Sequence, residues 1–105
     1  MDRKSIELIK QFVEKVKKDF LIERVIFFGS RAGKNYFEHS DIDLLIVSDD
    51  FKDLNFFERV SKMYDYWNVD LPVDFLCYTN KEFEKLSKMI TIVKEAVRNG
   101  IVIEN

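Results

Sequence analysis

Apolar and polar positions along this chain follow two alternating rhythms. Ile6, Ile9, Phe12, Val13, Val16 and Phe20 recur at helical spacing and form one stripe, predicting a first helix from a cap at Asp2 to about Asp19. The rhythm then breaks. Residues 24–28 (RVIFF) are a short β-branched and aromatic block, which predicts a buried strand. Residues 30–40 are polar, with Gly33, Asn35 and Ser40, and leave room for at most a short helix. Residues 42–47 predict a second buried strand. After a turn, Asn55 with Glu58 has the spacing of a capping box, and Phe56, Val60, Met63, Tyr64 and Trp67 give the following helix its buried face. Residues 71–78 read as a third strand, with Pro72 near its start where a missing N–H is tolerated. Thr79 and Glu82 repeat the capping box. From there Phe83, Leu86, Met89, Ile90, Val93 and Val97 predict one continuous helix up to a stop at Asn99-Gly100, and residues 101–103 a short edge strand. The order α-β-(short α)-β-α-β-α, with no repeat, linker or low-complexity segment, predicts a single α/β or α+β domain over residues 1–105.

Composition narrows the function classes. Seventeen basic against nineteen acidic side chains leave a net charge of −2, so no global basic field argues for non-specific nucleic-acid binding. The one cysteine, Cys77, excludes an internal disulfide framework and fits a reducing compartment. The amino terminus has no apolar signal-type stretch, and no window approaches 18 uncharged apolar residues. A cytoplasmic protein, not membrane-bound, is the expectation.

The chemistry sits where the second strand begins. Asp41 and Asp43 are two apart, so in a strand they project to the same face and raise each other's pKa unless a cation stands between them. Mg²⁺ resolves that conflict, being hard, oxygen-seeking and content with one or two carboxylates plus substrate phosphates. Asp74 opens the next apolar run in the same way. Strands joined by a helical crossover are parallel, which brings Asp74 to the same sheet end. If the first two strands are antiparallel, Gly29-Ser30 at the end of one lies against Asp41 at the start of the other. Gly29 then permits close backbone approach, and Ser30 opens a short helix whose N–H groups favour phosphate. No Walker-type string G-x-x-x-x-G-K-[ST] occurs. An aspartyl-phosphatase D-x-D follows its apolar run, whereas this one precedes it.

Gly29-Ser30, ten residues, then Asp41-Ile42-Asp43, with Asp74 in a later strand, resembles the DNA polymerase beta-like nucleotidyltransferase superfamily. The small size and "FFGSRA…SDIDLLIV" are similar to its minimal nucleotidyltransferases. The resemblance implies a nucleotidyltransferase fold, a small mixed sheet with helices mainly on one face. It also implies dependence on two Mg²⁺ ions and transfer of a nucleoside monophosphate, AMP from ATP foremost, to a protein or RNA hydroxyl with release of pyrophosphate. Carried onto this chain, Asp41, Asp43 and Asp74 bind metal and carry catalysis, with Asp74 helping to activate the acceptor hydroxyl. Gly29 and Ser30 contact the β- and γ-phosphates, and Arg31 assists. One departure is Lys34, where many relatives have a second glycine; it bears on the phosphate contacts rather than on the metal site. Larger members carry an extra substrate-binding region for which this chain is too short, so base selectivity and acceptor are expected from elsewhere. Such small proteins often have a helical partner of the HEPN type, which the nucleotidyltransferase adenylylates as an antitoxin.

Other polar and aromatic residues read as structural. His39 is a loop residue, Cys77 shares the parity of Phe75 and packs in the core, and Tyr64 and Trp67 lie on a packing stripe or a dimer surface. The lysines of the first and last helices are solvated faces. An oligomer is expected from the apolar surface so small a chain exposes. The rival to an enzyme is a nucleotide-binding module that masks a helical partner without turnover; a metal-dependent phosphohydrolase is a third reading.

Overall fold

The structure, a computed structural model, describes residues 3–33 and 41–105. The expected cap Asp2, Lys34 and His39 lie outside these. Helix α1 spans Arg3–Val16, β1 Arg24–Phe28, a 3₁₀ turn Ser30–Ala32, β2 Ile42–Val47, a second 3₁₀ turn Asp49–Phe51, α2 Phe56–Tyr64, β3 Val73–Tyr78, α3 Asn80–Ser87, α4 Ile92–Asn99 and β4 Ile101–Glu104. The four strands form one mixed sheet in the order β3-β2-β1-β4. β1 runs antiparallel to both β2 and β4, and β2 runs parallel to β3. The final strand at the edge is as expected.

Period-two alternation divides the strands between two cores. Val25, Phe27, Ile42, Leu44, Ile46, Val73, Phe75 and Cys77 face α1 and α2, meeting Ile9, Phe12, Val13, Val16, Met63 and Trp67 in the larger cluster. Ile26, Phe28, Leu45 and Val47 face the other way, where Phe83 of α3 and Val93 and Ala96 of α4 cover a smaller one. Most helical packing therefore lies on one face, and the β2 run is unbroken because both of its faces are covered. Among the described residues no helix is long and apolar enough to cross a membrane.

Local signals placed the starts of α2 and α3 and the end of α4. Both capping boxes form, Asn55 with Glu58 and Thr79 with Glu82. Two expectations need correction. The first helix ends at Val16 rather than near Asp19; Lys17–Phe20 close it with a looser set of turns, in which the Lys18 N–H reaches Lys15 O at 3.3 Å. The single helix expected from the Thr79 cap to the stop at Asn99-Gly100 is two, α3 and α4. Thr91 breaks it, its hydroxyl donating to Leu86 O at 2.8 Å and accepting from the Lys94 N–H at 3.3 Å as the cap of α4. Ile90, expected in the stripe, is 99% exposed at the break.

Arg59 fastens the crossover. Its buried guanidinium donates to Phe51 O at 3.0 Å, Leu54 O at 2.9 Å, Cys77 O at 3.1 Å and Glu82 Oε1 at 2.6 Å, joining α2 to the turn before it, to β3 and to α3. At Glu82, partial burial would raise the carboxyl pKa. The Arg59 hydrogen bond and the Thr79 N–H outweigh it and hold the group below its usual value. Arg59→Ala would leave three carbonyls without this donor and one carboxylate without its cation. We expect it to lower the unfolding free energy by about 3 kcal/mol, read as a shift of the urea midpoint at unchanged slope. A midpoint moved by less than a third of that would show the network to be ornamental.

Candidate active site

The residues singled out by spacing meet at one end of the sheet. Asp43 lies opposite Phe28 in the β1–β2 ladder and beside Asp74 in the β2–β3 ladder, as direct Cα partners in both. Parallel neighbours in register share a face and stand about 4.8 Å apart, so two carboxylates stand side by side. Asp41, exposed just before β2, adds a third negative charge near enough to act on Asp43. Burial first, then Asp74, then Asp41, push the Asp43 carboxyl up to about 6. A group raised by its own neighbours in this way is one that a bound cation would relieve. The donor set is all oxygen, which suits Mg²⁺. Among the described residues no three Asp, Glu, His or Cys side chains are already gathered as a metal cage.

Gly29 closes the site from the β1 side. Its φ of 82° and ψ of −169° belong to a region almost restricted to glycine, and a Cβ there would overlap Asp43 Oδ2 and lie 3.0 Å from its Cγ. The backbone thus passes directly over the carboxylate. Ser30 is exposed at the start of the 3₁₀ turn, held by Ala32 N–H to Gly29 O at 3.2 Å and Gly33 N–H to Ser30 O at 3.1 Å. Arg31, read from sequence as a phosphate ligand, is buried, and its Nε donates to Ser5 Oγ of α1 at 3.0 Å. That contact ties the turn to α1 from behind.

A cavity of about 450 Å³ opens beside these residues, lined by Phe28, Gly29, Gly33 and Asp43 on one side and Ile92, Glu95, Ala96 and Asn99 of α4 on the other. The sequence reading missed the α4 wall. Its signal was the spacing 92, 95, 96, 99, one helix face offset from the apolar stripe at 93 and 97. α4 ends at Gly100, a position where a Cβ would overlap Ala96 O and Ile26 Cγ2.

Tyr64 borders the site from the other face. Its ring meets Phe75 edge-on at 5.0 Å, and its hydroxyl donates to Val73 O, one residue before Asp74. Desolvation, then Asp74 and Asp41, raise its pKa. Trp67 packs against Phe12 and Phe75, and Cys77 is buried with its thiol pushed up to about 12 by desolvation; both are core residues.

Comparison with known proteins gives the arrangement a family. A curated protein of Methanocaldococcus jannaschii, named a "putative protein adenylyltransferase", is 49% identical over 43 residues, which cover 39% of this chain and 43% of that protein's length. A crystal structure from Sulfolobus solfataricus, described as a "putative nucleotidyltransferase", superposes with a TM-score of 0.65 at 30% identity, over 92% of this chain and 77% of that one. The family model described as "Nucleotidyltransferase domain" matches residues 9–99. That match runs from α1 through both carboxylate strands to the end of α4, and the chain belongs to the nucleotidyltransferase domain family.

Proposed function

We propose that this protein transfers a nucleoside monophosphate, AMP from ATP, to a hydroxyl group on a protein, releasing pyrophosphate. The observation that carries it is the juxtaposition of Asp43 and Asp74 across two parallel strands with the Gly29 backbone laid against the Asp43 carboxylate. The name of the Methanocaldococcus relative supports adenylyl transfer to protein.

In this reading Gly29 and Ser30 seat the β- and γ-phosphates on the backbone N–H groups that open the 3₁₀ turn, and Arg31 holds that turn in place from α1. Asp41, Asp43 and Asp74 hold divalent cations. Two Mg²⁺ ions, when bound, would supply charge neutralisation for the triphosphate and acidity for the acceptor hydroxyl. Asp74 is the exposed carboxylate beside the half-buried one, placed to take the acceptor's proton and pass it to solvent. The acceptor oxygen bonds to the α-phosphorus, the bond to the β-phosphate oxygen breaks, and pyrophosphate leaves. The chain's own contribution is positioning and fixed charge. A small helical protein of the HEPN type is the acceptor that the resemblance suggests; an RNA hydroxyl is the alternative acceptor, and the second copy of an oligomer a further source of contacts.

The test is label transfer. Protein, Mg²⁺, lysate of the source organism and each of four α-³²P nucleoside triphosphates are incubated beside an Asp74→Asn control. We expect a labelled protein band with ATP, reduced at least about 10²-fold in the control, as for loss of a positioned proton acceptor. A labelled RNA band would move the acceptor class. Mg²⁺-dependent ATP binding without any transferred label would favour a masking module, and inorganic phosphate in place of pyrophosphate would favour a hydrolase.

A further inference from the structure

The cavity beside Asp43 is lined by groups of two kinds. Phe28, Ile92 and Ala96 give it apolar walls, while Glu95 and Asn99 bring polar groups to the α4 side. At about 450 Å³ it falls within the ~300–1,000 Å³ range of small-molecule sites. A triphosphate held at Gly29 and Asp43 would be repelled by the Glu95 carboxylate, so the nucleoside end of the substrate is the part that faces α4. Apolar walls that include the Phe28 ring suit a purine.

One turn apart on the helix, Asn99 Nδ2 donates to Glu95 Oε1 at 2.7 Å. That bond uses one amide proton and one carboxylate oxygen. It leaves Glu95 Oε2 and Asn99 Oδ1 as acceptors, and one N–H as a donor. Acceptors on a nucleobase pocket call for a donor on the base, and the exocyclic amine is the donor that distinguishes adenine from a bare purine. We propose that the Glu95–Asn99 pair on α4 reads the N6 amino group of adenine and makes this cavity the base-selecting site of the chain. The proposal rests on the nucleotidyltransferase reading above. It also puts base selectivity on this chain, where the resemblance led us to expect it from elsewhere: a partner, a dimer mate or the acceptor.

Calorimetric titration of the full chain with ATP and with purine riboside triphosphate, which lacks only the amine, isolates the contact. In Mg²⁺ we expect ATP to bind about 10-fold more tightly, the worth of one well-placed polar contact. Glu95→Ala and Asn99→Ala, at exposed positions of a helix that alanine favours, should each bring the two affinities to within about 2-fold. Loss of the Glu95 charge strengthens both ligands alike, so the ratio is insensitive to it. Equal affinities in the unaltered protein, or a ratio that survives both substitutions while ATP still binds, would overturn the base-selecting role and leave the transferase intact. Absence of Mg²⁺-dependent binding by either triphosphate, together with no label transfer, would remove both readings.

Discussion

Replacing Asp43 by asparagine is expected to cripple transfer and, in the metal-free protein, to raise the melting temperature at pH 7.5. The two effects have one cause. The Asp43 carboxyl titrates at about 6 in the fold against 3.8 for the unperturbed group, through burial and then the charges of Asp74 and Asp41. Below pH 4 the group is protonated in both folded and unfolded chains and costs nothing. From pH 4 to 6 the unfolded chain ionises first, so stability falls; above 6 the whole penalty is present. Asp43 is only half-buried, so solvent screens the repulsion, and we assign about 1 kcal/mol to the penalty rather than the full shift. Asparagine keeps the shape and removes the charge, so the gain at pH 7.5 is about 5 °C for a domain of this size, vanishing near pH 4. Mg²⁺ should supply the same relief to the unaltered protein and almost none to the variant. Transfer should fall on the order of 10³-fold, the scale of metal-assisted charge stabilisation. Thermal scans in chelator at pH 4 and pH 7.5 check the first part. A variant that melts no higher at pH 7.5 would mean that Asp43 is not strained by its neighbours, and the argument for a cation there would fail.

Those neighbours were legible because their signals are local and strand geometry is rigid. Carboxylates at i and i+2 of a strand share a face, and a helical crossover returns a parallel strand, so these rules alone bring Asp43 and Asp74 together, as the register has them. The capping boxes at Asn55 and Thr79 were legible for the same reason: two residues three positions apart define each one. The break at Thr91 was not. Leu86, Met89, Ile90 and Val93 keep helical spacing across it, and no glycine or proline interrupts them; only the fold shows that Ile90 has nothing to pack on. The α4 wall was missed through that break. A single long helix gives no reason to single out Glu95 and Asn99, whereas a short one restarted at Thr91 and stopped by Gly100 sets their face against Asp43. Arg31 is a different case. The family resemblance gave it an assisting role at the phosphates, and strand and spacing rules say nothing of where its side chain goes; the turn carries it to α1, where Nε donates to Ser5 Oγ.

Gly29→Ala should prove nearly as damaging to transfer as loss of Asp43, and unlike it should also destabilise the fold. Two costs combine. The backbone at φ 82°, ψ −169° is one that an L-residue occupies only under strain, about 1–3 kcal/mol. The new methyl would also overlap Asp43 Oδ2, so either the carboxylate swings away from its place beside Asp74 or the Gly29 backbone lifts from it. Each route separates the phosphate-binding turn from the carboxylates, and a displacement of about 1 Å at such a site costs on the order of 10²-fold in rate. A double-mutant cycle separates the costs. In an Asp43→Ala background the carboxylate is gone, so Gly29→Ala should there retain only the backbone penalty, and its effect on the urea midpoint should shrink by the equivalent of about 1 kcal/mol. Equal midpoint shifts in both backgrounds would show that Gly29 is needed for its torsion angle alone. A shift that shrinks, together with loss of the Mg²⁺-induced rise in melting temperature in Gly29→Ala itself, would establish that turn and carboxylate are fitted to each other, and that the glycine is there to let the triphosphate and the cations share one end of the sheet.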